Sequence, residues 1–186
     1  MTPKLKIFLG LFVVTLLLDQ ATKSLVVASI AYGGQVEVIK GFFYLTHVGN
    51  PGAAFSFLAD QPAWFRQPFF IGATSVAVFI IISFYRKLAP HEKLSAFALG
   101  AILGGAVGNL LDRVFRSPEL FHGEVVDFLH FILWGGYSWP DFNLADSFIV
   151  IGVSLLVLEL FVSEGEAISN PPGSDAASSA RIPAPD

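Results

Sequence analysis

Two aspartates are unusual in this sequence because each lies in an otherwise apolar run. Asp127 is the only charged residue in the pentad at 125–129, and Asp146 is the only charged residue in the segment 142–147. A carboxylate beside hydrocarbon is costly, so a chain retains one there when it is paired or functional. Two close carboxylates in a low-dielectric site share one proton: one activates a water, and the other polarises a carbonyl and protonates the leaving amine. Asp127 and Asp146 therefore predict aspartic-protease chemistry, which needs no metal, cofactor, thiol or activated serine.

Each acid also has a structural explanation that the sequence leaves open. Asn143 and Asp146 have the spacing of a helix N-cap and its N3 acid, which would form a capping box and favour the helix dipole. Asp127 could instead be neutralised in an ion pair with Arg113, for which Asp112 is a rival partner.

Seven further positions are candidate site residues. They are Asp19, Lys23, Asn50, Gly52, Asn109, Arg113 and Asn143. Asn109 and Arg113 are four residues apart on one helix face, so both can point toward the acids, whereas Asp19 and Lys23 at the same spacing can simply pair with each other. Asn50 begins an Asn-Pro-Gly turn, which is a sufficient structural role, although its amide could also donate to a substrate backbone or a carboxylate.

A metal is the competing use of clustered acids. The four histidines, at 47, 91, 122 and 130, contain no i, i+4 pair and no HExxH pattern. A magnesium site built only from aspartates would be expected beside a phosphate. We therefore expect neither a metal site nor a cofactor.

The composition is that of a membrane protein. Of 186 residues, 54% are hydrophobic and only 14% are charged, with a mean hydropathy of +0.65, whereas soluble domains carry about 25% charged residues. The absence of cysteine excludes disulfides and thiolate chemistry. A net charge of −4 without a basic cluster argues against nucleic acid as a partner.

Four apolar segments predict membrane-spanning helices at about 7–31, 69–85, 94–111 and 144–162. A cleaved signal peptide is the alternative for the first segment, with a possible cleavage site at 29–31. The apolar character resumes after Lys23, which favours a retained helix. The third segment carries Gly100, Gly104 and Gly108, whose four-residue spacing would let another backbone approach closely.

The connecting segments predict a small β-platform at about 32–58. Residues 36–39 and 42–46 are rich in β-formers, with Lys40-Gly41 between them as a hairpin turn, and 53–58 resembles the start of another short element. Prolines and glycines in 117–140 prevent a long helix there. We expect residues 1–163 to form one four-helix membrane domain and 164–186 to form a disordered cytoplasmic tail.

Flanking charge predicts the topology. Basic residues near the chain start, after the second segment and before the third mark one side as cytoplasmic under the positive-inside rule: Lys4, Lys6, Arg86, Lys87 and Lys93. Four helices then return both termini to that side. The polar ends of the first, third and fourth helices converge on the outer face, where Asp127 and Asp146 are expected.

Five sequence blocks, taken together, resemble the bacterial lipoprotein signal peptidases, the type II signal peptidase family. The blocks are Asp19-Gln20-x-x-Lys23; Asn50-x-Gly52-Ala53-Ala54-Phe55-Ser56; Gly104-Gly105-x-x-Gly108-Asn109-x-x-Asp112-Arg113; Val125-Val126-Asp127-Phe128; and Phe142-Asn143-Leu144-Ala145-Asp146-Ser147. They occur in the family's order and extend over most of the chain.

The resemblance implies an all-α integral membrane fold of four transmembrane helices with a small extracytoplasmic β-hairpin platform. It also implies an aspartic endopeptidase of the bacterial inner membrane, with cytoplasmic termini and an active site at the periplasmic face. Its partners would be membrane lipid and a diacylglyceryl-prolipoprotein, cleaved on the amino side of the lipidated cysteine, and we expect a monomer. The positions that match the catalytic dyad are Asp127 and Asp146, and Asp112 matches the structural framework. The resemblance further implies that five matching residues support the dyad or contact the substrate: Asp19, Asn50, Asn109, Arg113 and Asn143.

Two features of the sequence depart from the family pattern. The link at 116–124 is longer than usual, and the proline- and serine-rich tail is not a family feature.

A transporter and a scaffold are the alternative function classes. A proton-relaying transporter would spread its acids through the membrane depth. A non-catalytic scaffold would use the same acids in structural ion pairs, so that substitutions lower stability and function together.

Overall fold

Four long helices and a three-stranded sheet make up the computed structural model, which describes residues 1–52 and 61–169. The helices are α1 (Pro3–Ser29), α2 (Ala63–Lys87), α3 (Lys93–Phe115) and α4 (Leu144–Ser169), and the strands are β1 (Gln35–Ile39), β2 (Phe43–Asn50) and β3 (Val125–Phe131). All four helices are long and apolar enough to cross a membrane. The predicted all-α integral membrane class is therefore confirmed.

Helix α3 is the central helix and contacts the other three. Its neighbours run past it closely because its glycines lack side chains. A Cβ at Gly100 would lie 2.5 Å from the Phe8 carbonyl oxygen, and one at Gly104 would lie 2.7 Å from the Thr15 Cβ on α1. Gly108 similarly faces Asp19. The predicted close approach at the glycine spacing is confirmed, and the partner is α1.

The helices alternate in direction, so their ends fall into two groups. At one end Lys4 Nζ donates to the Leu88 carbonyl at 2.6 Å, joining the start of α1 to the end of α2. Ser95 Oγ donates to Glu159 Oε2 at 2.5 Å at the same end. The sheet lies at the other end, where β2 and β3 contact α1 and β3 contacts α3. Gln67 near the start of α2 donates to the Gly123 carbonyl just before β3, and Leu144 at the start of α4 packs against the cluster that contains Val126 and Phe128. This second region is called the sheet end below.

The observed helices extend beyond the predicted limits, most clearly at the end of α3 and the start of α2. Helix α3 continues to Phe115 because Arg116 Nε pairs with Asp112 Oδ1 across one turn at 2.7 Å, so its polar last turns stay helical. Helix α2 begins at Ala63, with Pro68 inside the helix, six residues before its predicted start.

The end of α4 also differs from the predicted domain boundary. The helix runs to Ser169, so residues 164–169, expected in a disordered tail, are helical. The remainder of the predicted tail, residues 170–186, and the predicted short element at 53–58 lie outside the described residues.

The sheet is antiparallel in the order β1-β2-β3. The predicted hairpin is present: β1 and β2 are joined at Lys40 and Gly41, and Gly41 takes the left-handed conformation (φ 68°) that a tight turn requires. The third strand was not predicted, since Val125, Val126, Asp127 and Phe128 are all buried and show no alternation of polar and apolar residues.

Candidate active site

Asp127 lies in the middle of β3, opposite Val48 on β2 and just beyond an irregularity in the β2–β3 register. Its side chain is buried, with only 2% of the residue exposed. Asn50 Nδ2 donates to its Oδ2 at 2.7 Å, and Asn143 Nδ2 donates to its Oδ1 at 2.7 Å. The carboxyl group is therefore held by two neutral amides.

Burial raises the pKa of Asp127 to about 7, and the negative charge of Asp146 adds to this effect. The hydrogen bonds from Asn50 and Asn143, together with the charge of Lys23, oppose the shift without cancelling it. A carboxyl group with a pKa near 7 is protonated in about half of the molecules at neutral pH, which suits a general acid.

Asp146 is the third residue of α4 and completes the predicted capping box. Its backbone N–H donates to Asn143 Oδ1 at 3.0 Å, and the Asn143 N–H donates to Asp146 Oδ2 at 3.2 Å. The cap uses only part of the carboxylate, because Asn109 Nδ2 donates to Asp146 Oδ1 at 3.0 Å. Asp146 therefore accepts a hydrogen bond within the α4 cap through Oδ2 and one from Asn109 on α3 through Oδ1.

Asn143 joins the two acids. Its Nδ2 contacts Asp127 Oδ1 and also Asn109 Oδ1, the latter at 3.2 Å, while its Oδ1 and N–H form the cap with Asp146. One buried side chain therefore contacts both candidate catalytic residues. Asp127 and Asp146 are brought close together, as predicted, by these hydrogen bonds of Asn143.

The expected Asp19–Lys23 pair exists and belongs to a buried ionic cluster. Lys23 Nζ lies 2.9 Å from Asp19 Oδ2 and 2.8 Å from Asp112 Oδ2, with all three side chains fully buried. Lys23 also donates to Asn109 Oδ1 at 2.7 Å. Asp19 Oδ1 accepts from the Ala145 N–H at 3.1 Å. The ionic cluster therefore holds Asn109 and the first turn of α4 in position.

Arg113 does not play the ion-pair role considered for it. Its guanidinium donates to the carbonyl oxygens of Gly52 and, at 3.5 Å, Pro51, and it lies 4.7 Å from the centre of the Phe70 ring. Asp127 takes its hydrogen bonds from the two asparagines instead. The backbone N–H of Gly52 in turn donates to Asn50 Oδ1 at 3.0 Å, which orients the Asn50 amide toward Asp127.

A cavity of about 840 Å³ opens beside these residues, between α2, α3, α4 and the sheet. Its polar lining residues include Asn50, Thr74, Asn109, Arg113, Asp141, Asp146 and Ser147, and Gly52 also lines it. Apolar residues form the rest, among them Phe70, Phe131, Trp139, Ile149 and Val150. Asp127 contacts the cavity through Asn50, whereas Asp19, Lys23 and Asn143 contribute no lining surface.

Two contributing residues, Gln20 and Asp141, were assigned no role from the sequence. Gln20 Nε2 donates to Asp19 Oδ2, to the Gly108 carbonyl and to Asp112 Oδ1, at 3.0–3.2 Å. The sequence signal for Gln20 was its position beside Asp19, where polar residues interrupt the first apolar segment. Asp141 lines the cavity immediately before the block at 142–147, and its proximity to that block was the only indication.

The structure also bears on the metal alternative. Within residues 1–52 and 61–169, no group of three or more histidine, aspartate or glutamate side chains is arranged to hold a metal ion. The two acids of the cavity lining have other partners: Asp146 accepts from amide groups, and Asp141 accepts from Thr46 and lies beside His130.

Sequence comparison places these features in a known family. A family model described as signal peptidase (SPase) II matches residues 11–162. The lipoprotein signal peptidase of Geobacter metallireducens is 43% identical over 164 residues, covering 88% of this chain and 96% of that protein. The lipoprotein signal peptidase of Aeromonas hydrophila is 45% identical over 157 residues, covering 84% and 89%.

Structural comparison gives a consistent result. A bacterial membrane enzyme solved by the in meso method at 2.3 Å resolution superposes with a TM-score of 0.73 and 31% sequence identity, covering 86% of this chain and 90% of that one. A second such structure, at 1.9 Å, gives a TM-score of 0.71.

Proposed function

The chain belongs to the signal peptidase II family, a group of membrane peptidases that remove signal peptides from prolipoproteins, and we propose from this premise that Asp127 and Asp146 are its catalytic pair. The observation that carries the proposal is the shared Asn143 contact, which places both carboxyl groups at one buried site beside the cavity. The substrate would be a prolipoprotein whose cysteine carries diacylglycerol, cleaved on the amino side of that cysteine.

The surroundings of the two acids support different roles for them. Asp146 receives hydrogen bonds from Asn109 and from the Asn143 N–H, and it lies at the N-terminus of α4, where the helix dipole favours negative charge. Asp127 is buried beside that charge, and its raised pKa favours the protonated form. Asp146 is therefore the base and Asp127 the acid.

The reaction follows from this assignment. Asp146 takes a proton from a water, whose oxygen forms a bond to the scissile carbonyl carbon while Asp127 donates its proton to the carbonyl oxygen. The resulting gem-diol collapses when the proton held by Asp146 passes to the amide nitrogen. The carbon–nitrogen bond breaks, a hydroxyl proton returns to Asp127, and the products are a carboxyl group and an amine.

Asn50 is the group that a substrate meets before Asp127. It lines the cavity and donates to Asp127 Oδ2, while its own carbonyl oxygen is fixed by the Gly52 N–H. A substrate carbonyl reaches Asp127 by displacing or sharing the Asn50 amide. Arg113 holds the backbone of Pro51 and Gly52 in place around this point.

The lipid on the substrate explains why the site lies at a helix end. Transferring an acyl chain out of the bilayer would cost about 0.8 kcal/mol per CH₂ group. A dyad at the sheet end meets a scissile bond near the headgroups while the acyl chains stay in the lipid. The apolar lining at Phe70, Ile149 and Val150 gives those chains a continuous apolar surface next to the acids.

Cleavage of a synthetic peptide tests this function. The purified protein is incubated with an acetylated lipobox peptide whose cysteine carries diacylglycerol and with the same peptide carrying an unmodified cysteine, and the products are identified by mass spectrometry. We expect a single cut on the amino side of the lipidated cysteine and little cleavage of the unmodified peptide. Equal cleavage of both peptides, or a cut at another bond, would contradict the proposed substrate.

A further inference from the structure

Among the described residues that line the cavity, one acid, Asp141, has no part in the proposed reaction. We propose that Asp141 selects the charge of the substrate immediately after the lipidated cysteine, favouring basic and disfavouring acidic side chains in the first two residues. This inference rests on the proposed peptidase function. It adds a specificity determinant to a cavity whose other acid, Asp146, takes part in the chemistry.

Asp141 is held firmly at the cavity wall. Thr46 Oγ1 donates to its Oδ1 at 2.6 Å, and His130 Nδ1 lies 3.3 Å from the same oxygen. The neighbouring residue, Phe142, exchanges backbone hydrogen bonds with Leu129 on β3, at 2.8 and 3.2 Å. Among the described residues both side-chain contacts are made to Oδ1, and the residue lines the cavity. The side chain keeps 25% of its surface exposed.

The other charged groups around the cavity do not neutralise Asp141. Among the described residues, Arg113 is the cation of the cavity lining, and its guanidinium is directed to the Gly52 and Pro51 carbonyls and to the Phe70 ring. His130 is the cationic group that can approach Asp141 directly, and only when its ring is protonated. A neutral His130 leaves the full negative charge of Asp141 at the wall.

The position of Asp141 indicates which part of the substrate passes it. The acyl chains and the apolar signal segment of a prolipoprotein both remain in the bilayer, so only the chain after the cysteine leaves it. Asp141 is attached to β2 and β3 through Thr46 and His130, and β3 packs against the end of α1. The segment that runs from the dyad past Asp141 is therefore the start of the mature lipoprotein.

Three peptides and two variants test the proposal. The diacylated peptides are identical except for the two residues after the cysteine, which are Lys-Lys, Gln-Gln or Glu-Glu, and kcat/KM is measured for each. Wild-type enzyme should prefer Lys-Lys to Glu-Glu by about five- to tenfold, as expected for unit charges several ångströms apart in a partly aqueous site. Raising the salt to about 1 M, where the Debye length is about 3 Å, should reduce this ratio.

Asp141→Asn removes the charge and keeps an oxygen that can accept from Thr46, so its Lys-Lys to Glu-Glu ratio should fall to about one. Comparing ratios within one enzyme separates selectivity from any overall loss of activity. The matched control is Glu119→Gln, which removes a charge from a side chain that is 81% exposed and outside the cavity lining, and it should keep the wild-type ratio.

The outcomes distinguish this inference from the function on which it rests. Wild-type enzyme that cleaves all three peptides equally, or an Asp141→Asn variant that keeps the wild-type ratio, would overturn the role of Asp141 and leave the peptidase function intact. Wild-type enzyme that cleaves none of the peptides would overturn both.

Discussion

At the scale of single residues, Asn143 explains how one carboxylate serves both folding and chemistry. Its side chain caps α4 and holds Asp146 in the cap, and its Nδ2 also contacts Asp127. A capping box requires one acid near one asparagine. Capping does not explain the second acid, Asp127. A catalytic pair does require a second acid, and Asp127 is buried beside Asp146.

The raised pKa of Asp127 predicts a pH dependence. Below about pH 7 the carboxyl group holds its proton and can act as the acid; above that pH it ionises, and both members of the pair are negative. We expect kcat/KM for a diacylated lipobox peptide to fall by about tenfold per pH unit on the alkaline side of about pH 7, as loss of a single proton requires.

The profile is measured with an N-acetylated peptide that has no group titrating between pH 5 and pH 9. A thermal melt at each pH separates loss of activity from unfolding. Constant kcat/KM from pH 6 to pH 9 would show that Asp127 does not supply the proton.

The sequence predicted the residues of the site better than their partners. Asp127 could be identified because its pentad is apolar on both sides, and the Asp19–Lys23 pair followed from its spacing. That Asp112 joins this pair, and that asparagines instead of Arg113 hold Asp127, depends on contacts between residues up to 92 positions apart. No local pattern encodes such contacts.

At the scale of secondary-structure elements, the glycines of α3 determine how closely α1 can approach. The contact brings Asp19 and Lys23 on α1 against Asp112 on α3, and so makes the buried ionic cluster possible. Small residues are the usual means by which membrane helices approach each other.

Adding one methyl group at Gly104 should therefore destabilise the protein. A Cβ there would lie 2.7 Å from the Thr15 Cβ and 2.8 Å from the Phe12 carbonyl oxygen, closer than packed atoms tolerate. We expect Gly104→Ala to lower the free energy of unfolding by about 1–3 kcal/mol, measured by thermal or denaturant unfolding in one detergent.

Gly72→Ala on α2 is the matched control, since a Cβ at Gly72 has no atom within 4 Å. That variant should be as stable as the wild type or more stable by up to about 1 kcal/mol, because alanine favours helix. Equal stability of the two variants would mean that the α1–α3 contact is looser than described.

Hydropathy predicted the four helices because each is a long apolar run, and the Lys40-Gly41 turn predicted the first two strands. Strand β3 was missed because its pairing with β2 joins residues about 80 positions apart and its first four residues are all buried. Helix α3 extends past its predicted end because Arg116 pairs with Asp112, which balances the charge of that carboxylate in the last turns of the helix.

At the scale of the whole molecule, the two ends of the bundle differ in chemistry. The end opposite the sheet carries Lys4, Lys6, Arg86, Lys87 and Lys93 in its terminal turns. The basic residues at the sheet end are mostly engaged within the protein: Lys23 and Arg113 are buried, and Arg116 is paired with Asp112. The positive-inside rule therefore still favours a cytoplasmic location for the end opposite the sheet.

Two single-cysteine variants test this orientation, since the chain has no cysteine of its own. His122→Cys places a thiol in the exposed link after α3 at the sheet end, and His91→Cys places one in the exposed turn between α2 and α3 at the opposite end. In intact spheroplasts a membrane-impermeant maleimide should label only the first. Labelling of His91→Cys before lysis would reverse the proposed topology.

The central claim, that Asp127 and Asp146 form the catalytic pair, is tested most directly by comparing Asp127→Asn and Asp146→Asn with wild-type enzyme in the diacylated-peptide assay, with a thermal melt on each sample. We predict that each variant remains folded and membrane-inserted and loses about 10²- to 10⁴-fold in kcat/KM, the contribution of a positioned acid or base. Cleavage by either variant within about tenfold of wild type, or a loss of activity matched by a loss of folded protein, would contradict the claim and favour a structural role for the two acids.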